Sequence, residues 1–81
     1  MPQVKLTGKF RAAADDADTL EIEARTIREL MTRLVERYPL MDQHLDAGIA
    51  VAIDGEIYRD NWSVEIPPDA EVFLIPRIQG G

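Results

Sequence analysis

Cysteine is absent from these 81 residues. That excludes disulfides, thiolate metal ligands and a cysteine nucleophile. The one histidine, His44, cannot alone build a typical zinc site. Basic residues are scarce, with 9 Lys and Arg against 15 Asp and Glu and a formal charge of −6. This balance argues against nucleic acid, whose backbone rewards basic patches. It favours solubility and docking to a partner with a basic surface. No stretch approaches the roughly 20 apolar residues of a membrane span. The N-terminus, Met1-Pro2-Gln3-Val4-Lys5, lacks the apolar run of a signal peptide. A cytoplasmic protein without a membrane partner is expected. The length suits one domain over residues 1–81, in which nearly every regular apolar residue is needed for the core. Little material is left for an enclosed active site.

Residues Gln3 to Phe10 read as a strand, with Val4 and Leu6 alternating against Lys5 and Thr7. Gly8 marks a bulge or local irregularity. Arg11 to Asp18 is rich in Ala and Asp, and Asp15-Asp16-Ala17-Asp18 reads as an exposed turn. Three carboxylates there suggest a metal loop, but the calcium-loop spacing and its glycine are missing. Thr19 to Ala24 alternates Leu20 and Ile22 with Glu21 and Glu23, a second strand with one wet face.

Thr26-Ile27-Arg28-Glu29 is a capping box: the threonine hydroxyl accepts from the Glu29 amide while the Glu29 side chain reaches back. Behind it Ile27, Leu30, Met31, Leu34, Val35 and Tyr38 form one apolar stripe at helical spacing, read as the core-facing side. Pro39 ends this helix, because proline disfavours helical geometry at Tyr38 and has no amide proton. Leu40 to Gly48 reads as a loop with a short helical turn that tucks Leu45 onto the core. His44 within it reads as a surface residue.

Ile49, Val51 and Ile53 alternate with Ala50 and Ala52, a third strand able to be covered on both faces. Asp54-Gly55 before Glu56-Ile57-Tyr58 is a strong hairpin signal. A turn region with Trp62 follows, read as a packing residue ahead of the alternative, a partner contact, and then a short extended piece at Val64 and Ile66. Val72-Phe73-Leu74-Ile75 has the content of a last, central strand, stopped by Pro76. Residues 77–81 remain as a flexible C-terminal tail. The order strand, strand, helix, strand, short strand, strand defines an α+β fold: a mixed sheet of four to five strands with one main helix packed across it. That is the β-grasp, or ubiquitin-like, arrangement.

The chain ends in Gly80-Gly81. A frayed end or a cloning remnant would leave the same letters, and no helix precedes the pair for it to terminate. The functional reading has a physical basis. Without side chains, the two glycines can thread a narrow channel and adopt backbone conformations closed to other residues. Five extended residues after Pro76 span roughly 16–18 Å, enough to carry a carboxylate into a neighbour's site. A carboxylate becomes a good electrophile once joined to AMP as a mixed anhydride. A sulfur nucleophile then displaces AMP and leaves a thiocarboxylate.

Four segments carry a family resemblance. Thr26-Ile27-Arg28-Glu29-Leu30 with Glu36-Arg37-Tyr38-Pro39 resembles the helix of MoaD-type proteins, and Val51-Ala52-Ile53-Asp54-Gly55 the strand and turn that follow it. Asp69-Ala70-Glu71-Val72-Phe73-Leu74-Ile75-Pro76 resembles the acidic turn, last strand and proline before the tail. With the diglycine, the resemblance to the MoaD/ThiS family of ubiquitin-like sulfur carriers covers essentially the whole chain. The length is nearer to MoaD, the molybdopterin synthase small subunit. Two departures stand out: Pro68-Asp69-Ala70-Glu71 where the family often has a glycine-aspartate turn, and Arg77 where it often has a second proline.

The resemblance implies a carrier rather than an enzyme. Gly81 would bear the adenylate and then the thiocarboxylate, with Gly80 as the slender approach. Arg77, Ile78 and Gln79 would line the partner's channel. Ile75 belongs either to the apolar docking patch of such carriers or to ordinary core. The implied partners are a ubiquitin-activating-type adenylyltransferase and a larger catalytic subunit of molybdopterin synthase type. No cofactor or metal is expected to be held stably, and ATP is used by the activating partner. The pathway implied first is molybdopterin (molybdenum cofactor) biosynthesis. The alternatives are sulfur delivery to thiamine, cysteine or another metabolite, a protein modifier joined through Gly81, and an interaction domain with an inert tail.

Overall fold

A computed structural model describes residues 1–59 and 61–76. Among these residues five strands form one sheet in the order β2-β1-β5-β3-β4. They are β1 (Gln3–Lys5), β2 (Thr19–Glu21), β3 (Ile49–Ile53), β4 (Glu56–Tyr58) and β5 (Glu71–Pro76). The central β5 runs parallel to β1 and antiparallel to β3. The sheet is therefore mixed. Among the described residues three helices accompany it: α1 (Lys9–Ala13), α2 (Ile27–Arg37) and α3 (Met41–Ala47).

The longest helix, α2, forms as its capping box dictates. Thr26 is extended, and its hydroxyl accepts from the Glu29 amide at 3.2 Å. The Glu29 carboxylate accepts in return from the Arg25 amide at 3.2 Å, one residue ahead of the cap. Ile27, Leu30, Met31 and Leu34 are buried, and they join one core cluster with Val4, Leu20, Val51, Val72 and Leu74. One face of the sheet thus lies under the helices.

Two segments depart from the sequence reading. The first strand is Gln3–Lys5, not Gln3 to Phe10, and Phe10 instead lies in α1. The strand ends at Lys5, and the chain turns into α1 at Gly8, whose φ is 55°. Phe10 enters the core fully buried from the new helix. Leu40 to Gly48, read as a loop, contains the seven-residue α3. Leu45 is half-buried against the core, as that reading had it. The second strand is also shorter than Thr19 to Ala24, although Ile22 and Ala24 stay buried beyond its end. Val64 and Ile66 flank an isolated bridge, Thr26 to Glu65, rather than a strand of the sheet.

The Asp54-Gly55 turn sits where the dipeptide placed it, with φ of 48° and 92° and Ile53 paired to Glu56. Asp54 also latches the turn onto β5. Its carboxylate accepts from the Glu71 amide at 3.0 Å, and its own amide donates to the Glu71 carbonyl at 2.9 Å. Asp15 and Asp16 both take left-handed φ in the exposed turn after α1.

Candidate functional site: the outer sheet face and the strand that leads to the tail

In β5, Val72 and Leu74 point into the core, so Phe73 and Ile75 lie on the opposite face of the sheet. Register extends that face sideways. Phe73 pairs with Ala52 of β3 and Lys5 of β1, Ile75 pairs with Ala50, and Ala52 pairs with Ile57 of β4. A transverse row, Ile57-Ala52-Phe73-Lys5-Thr19, therefore crosses the sheet, and Ala50 and Ile75 stand in the next row towards Pro76.

The row is apolar over its β4–β3–β5 portion and open to solvent. Ile57 is 57% exposed and Phe73 39% exposed, whereas the floor residues Ala50 and Ala52 are nearly covered at 8% and 7%. Two small alanines thus lie between the larger side chains of Ile57, Phe73 and Ile75. Leaving two large apolar side chains about half exposed forfeits roughly 1 kcal/mol each of the burial energy a full cover supplies, which a covering partner recovers. Glu71, Gln3 and Glu21 form a polar row at the far end of the same face.

Among the residues assigned a role from sequence, Ile75 is half-buried on this outer face, outside the core cluster. Arg77, Ile78, Gln79, Gly80 and Gly81 lie outside the described residues. They follow directly on Pro76, which pairs with Ile49 at the end of β5. The strand that displays Phe73 and Ile75 is thus the one that leads into 77–81. Sequence reading missed Phe73 and Ile57 as surface residues. The signal was present: period-two alternation in Val72-Phe73-Leu74-Ile75 puts alternate residues on opposite faces.

Trp62 is half-buried and packs against the core, on a turn tied to α2 by hydrogen bonds from Ile27 N to Val64 O and Arg28 N to Trp62 O. His44 is half-buried with its ring edge-on to Phe10 at 5.6 Å. Among the described residues, no group of three or more His, Asp or Glu is placed to hold a metal ion. No helix among them is long and apolar enough to cross a membrane.

This topology, with a parallel central pair and a helix crossing one face, defines a ubiquitin-like β-grasp protein. The ThiS family profile matches residues 4–81, and the chain belongs to that family, within the wider MoaD/ThiS group of ubiquitin-like sulfur carriers. The solution structure of small archaeal modifier protein 1 from Methanosarcina acetivorans is similar at a TM-score of 0.81 and 19% identity, covering 99% of this chain and 95% of that one. The crystal structure of the Amycolatopsis orientalis BexX/CysO complex contains a chain similar at 0.82 and 16%, with 100% of each covered. A putative molybdopterin converting factor subunit 1 from Pyrococcus furiosus matches at 0.73 and 23%, covering 95% of this chain and 97% of that one. No curated protein matches the chain in sequence.

Proposed function

We propose that this protein carries sulfur on the carboxylate of Gly81. The carboxylate attacks the α-phosphorus of ATP in an activating enzyme, forming an acyl adenylate and releasing pyrophosphate. A sulfur nucleophile then displaces AMP, and the resulting thiocarboxylate delivers sulfur in a larger catalytic subunit. The observation that carries this reading is the continuity of the outer apolar face with the end of β5. A partner that covers Ile57, Phe73 and Ile75 also stands where residues 77–81 begin. Family membership supports the chemistry. The likeness to a putative molybdopterin converting factor subunit supports molybdopterin biosynthesis as the destination, ahead of thiamine, cysteine or another metabolite.

The test is intact-mass analysis after incubation with an activating enzyme, ATP and a sulfur donor. One oxygen-for-sulfur exchange located at Gly81 is expected, and the chain lacking Gly81 gives none. Failure to form that species with the activating enzymes of the molybdopterin, thiamine and cysteine pathways overturns the reading.

A second reading is favoured by the likeness to small archaeal modifier protein 1: conjugation of Gly81 to lysines of other proteins. It shares the adenylate but ends in an isopeptide bond. Trypsin cleaves after Arg77, so it would leave an Ile-Gln-Gly-Gly branch on target lysines, a remnant readable in digests of whole lysate.

A further inference from the structure

A concave surface lies on the helical side of the molecule, away from the outer sheet face. It is a groove of about 430 Å³ between α2, α3 and the turn that carries Trp62. Its floor is apolar: Met31 and Val35 from α2, Leu45 from α3, and Trp62. The turn is held there by the hydrogen bonds that tie the Trp62 and Val64 carbonyls to the first turn of α2. The groove is therefore built on fixed elements.

The rim is of one sign. Glu36, Asp42 and Asp46 are the charged residues that line it, all exposed, and no lysine or arginine lines it among the described residues. Asp42 and Asp46 are four apart on one face of α3, and like charges at that spacing oppose the helix slightly. The only ion pair among the described residues joins Arg33 to Glu29 and does not involve these three. Glu36 also borders the adjoining concavity with Arg33 and Arg37. An apolar floor inside an acidic rim that no described lysine or arginine lines is nonetheless complementary to an apolar side chain flanked by cations.

We infer that this groove docks a segment of a partner protein that presents an apolar anchor flanked by lysine or arginine. Because it lies on the helix-covered side, such a partner binds while the outer sheet face is engaged elsewhere. The two surfaces let one carrier bridge two proteins.

Trp62 is the single tryptophan, so its fluorescence reports occupancy of the groove. The probe is a synthetic amphipathic peptide of leucine and lysine, compared with a leucine–glutamate peptide of the same pattern. The basic peptide is expected to shift Trp62 emission in a saturable, salt-sensitive way, and the acidic one is not. The triple variant E36Q/D42N/D46N should weaken binding roughly fivefold or more, as expected for three modest charge contacts. The control E23Q/E65Q/D69N removes the same charge elsewhere and should bind as the parent does. Thermal melts of both triples establish that they fold.

Several results overturn the inference. These are unchanged Trp62 emission, equal weakening by the two triples, or loss of binding in I57T/F73T, which would place the peptide on the sheet face. So would a Trp62 shift on removal of residues 77–81, which would make the chain's own end the occupant. Concentration-dependent self-association quenched by E36Q/D42N/D46N would assign the groove to a second copy.

Discussion

Tyr58 and Glu56 stand two apart on β4 and so share a face of the strand. The phenol donates to the Glu56 carboxylate. That bond is the main reason the Tyr58 pKa is raised above its ordinary value, with the Glu56 charge adding in the same direction. An ionised Tyr58 cannot donate and is repelled by Glu56. The contribution of the bond to stability is therefore complete below the ordinary tyrosine range and is lost as pH rises through the raised pKa. E56Q should bring Tyr58 back towards its ordinary titration, read by ultraviolet absorbance of the tyrosinate against pH. Thr26 gives a second test at this scale. Its hydroxyl is the side-chain acceptor at the start of α2, and T26A should cost about 1 kcal/mol in denaturant melts. Both pairings rest on neighbours close in sequence. The capping box was legible for that reason, although the return bond of Glu29 goes to Arg25 rather than to the cap.

At the scale of elements, the passage from β1 to α1 depends on one residue. Gly8 combines φ of 55° with ψ of −127°, a region that side-chain-bearing residues populate at a steep cost. An added Cβ would meet nothing within 4 Å, so backbone strain alone sets the penalty. G8A should destabilise the fold by roughly 1–3 kcal/mol, measured by urea unfolding. The alternation of Val4 and Leu6 across Lys5 and Thr7 does continue the strand pattern, and both apolar residues are buried. A two-residue period cannot show that the strand has already ended at Lys5, one residue before the second of them. In α3, the stretch Met41–Ala47 has no side-chain cap at its start. Its helicity comes from Met41 being fully buried and Leu45 packing on the core. Tertiary burial of that kind overrides weak local signals.

For the molecule as a whole, the sheet divides two environments. One face carries the helices and the core, and the other offers Ile57, Phe73 and Ile75 around an alanine floor. If that face is where an activating enzyme docks, I57T/F73T should lower affinity roughly thirtyfold or more, the loss expected of two central apolar contacts. Threonine suits an exposed strand position, so the same variant should lose less than about 1–2 kcal/mol of stability. Affinity by calorimetry beside a thermal melt separates the two effects. Binding unchanged in this variant would move the docking surface elsewhere.

The sequence alone determined the features set by neighbouring residues: the cap and apolar stripe of α2, the Asp54-Gly55 hairpin, the β-branched β5, and the diglycine that motivates chemistry at Gly81. It also determined which functions were closed to a chain without cysteine. Tertiary structure decided what depends on register across the sheet. Phe73, Ala52 and Ile57 are separated along the chain and meet because β5 and β4 both pair with β3. Ile75, equally suited to core or surface by its composition, lies on the outer face because its strand neighbours Val72 and Leu74 take the inner one. The groove at Trp62 arises in the same way, from elements brought together by packing, and no local spacing in the chain encodes it.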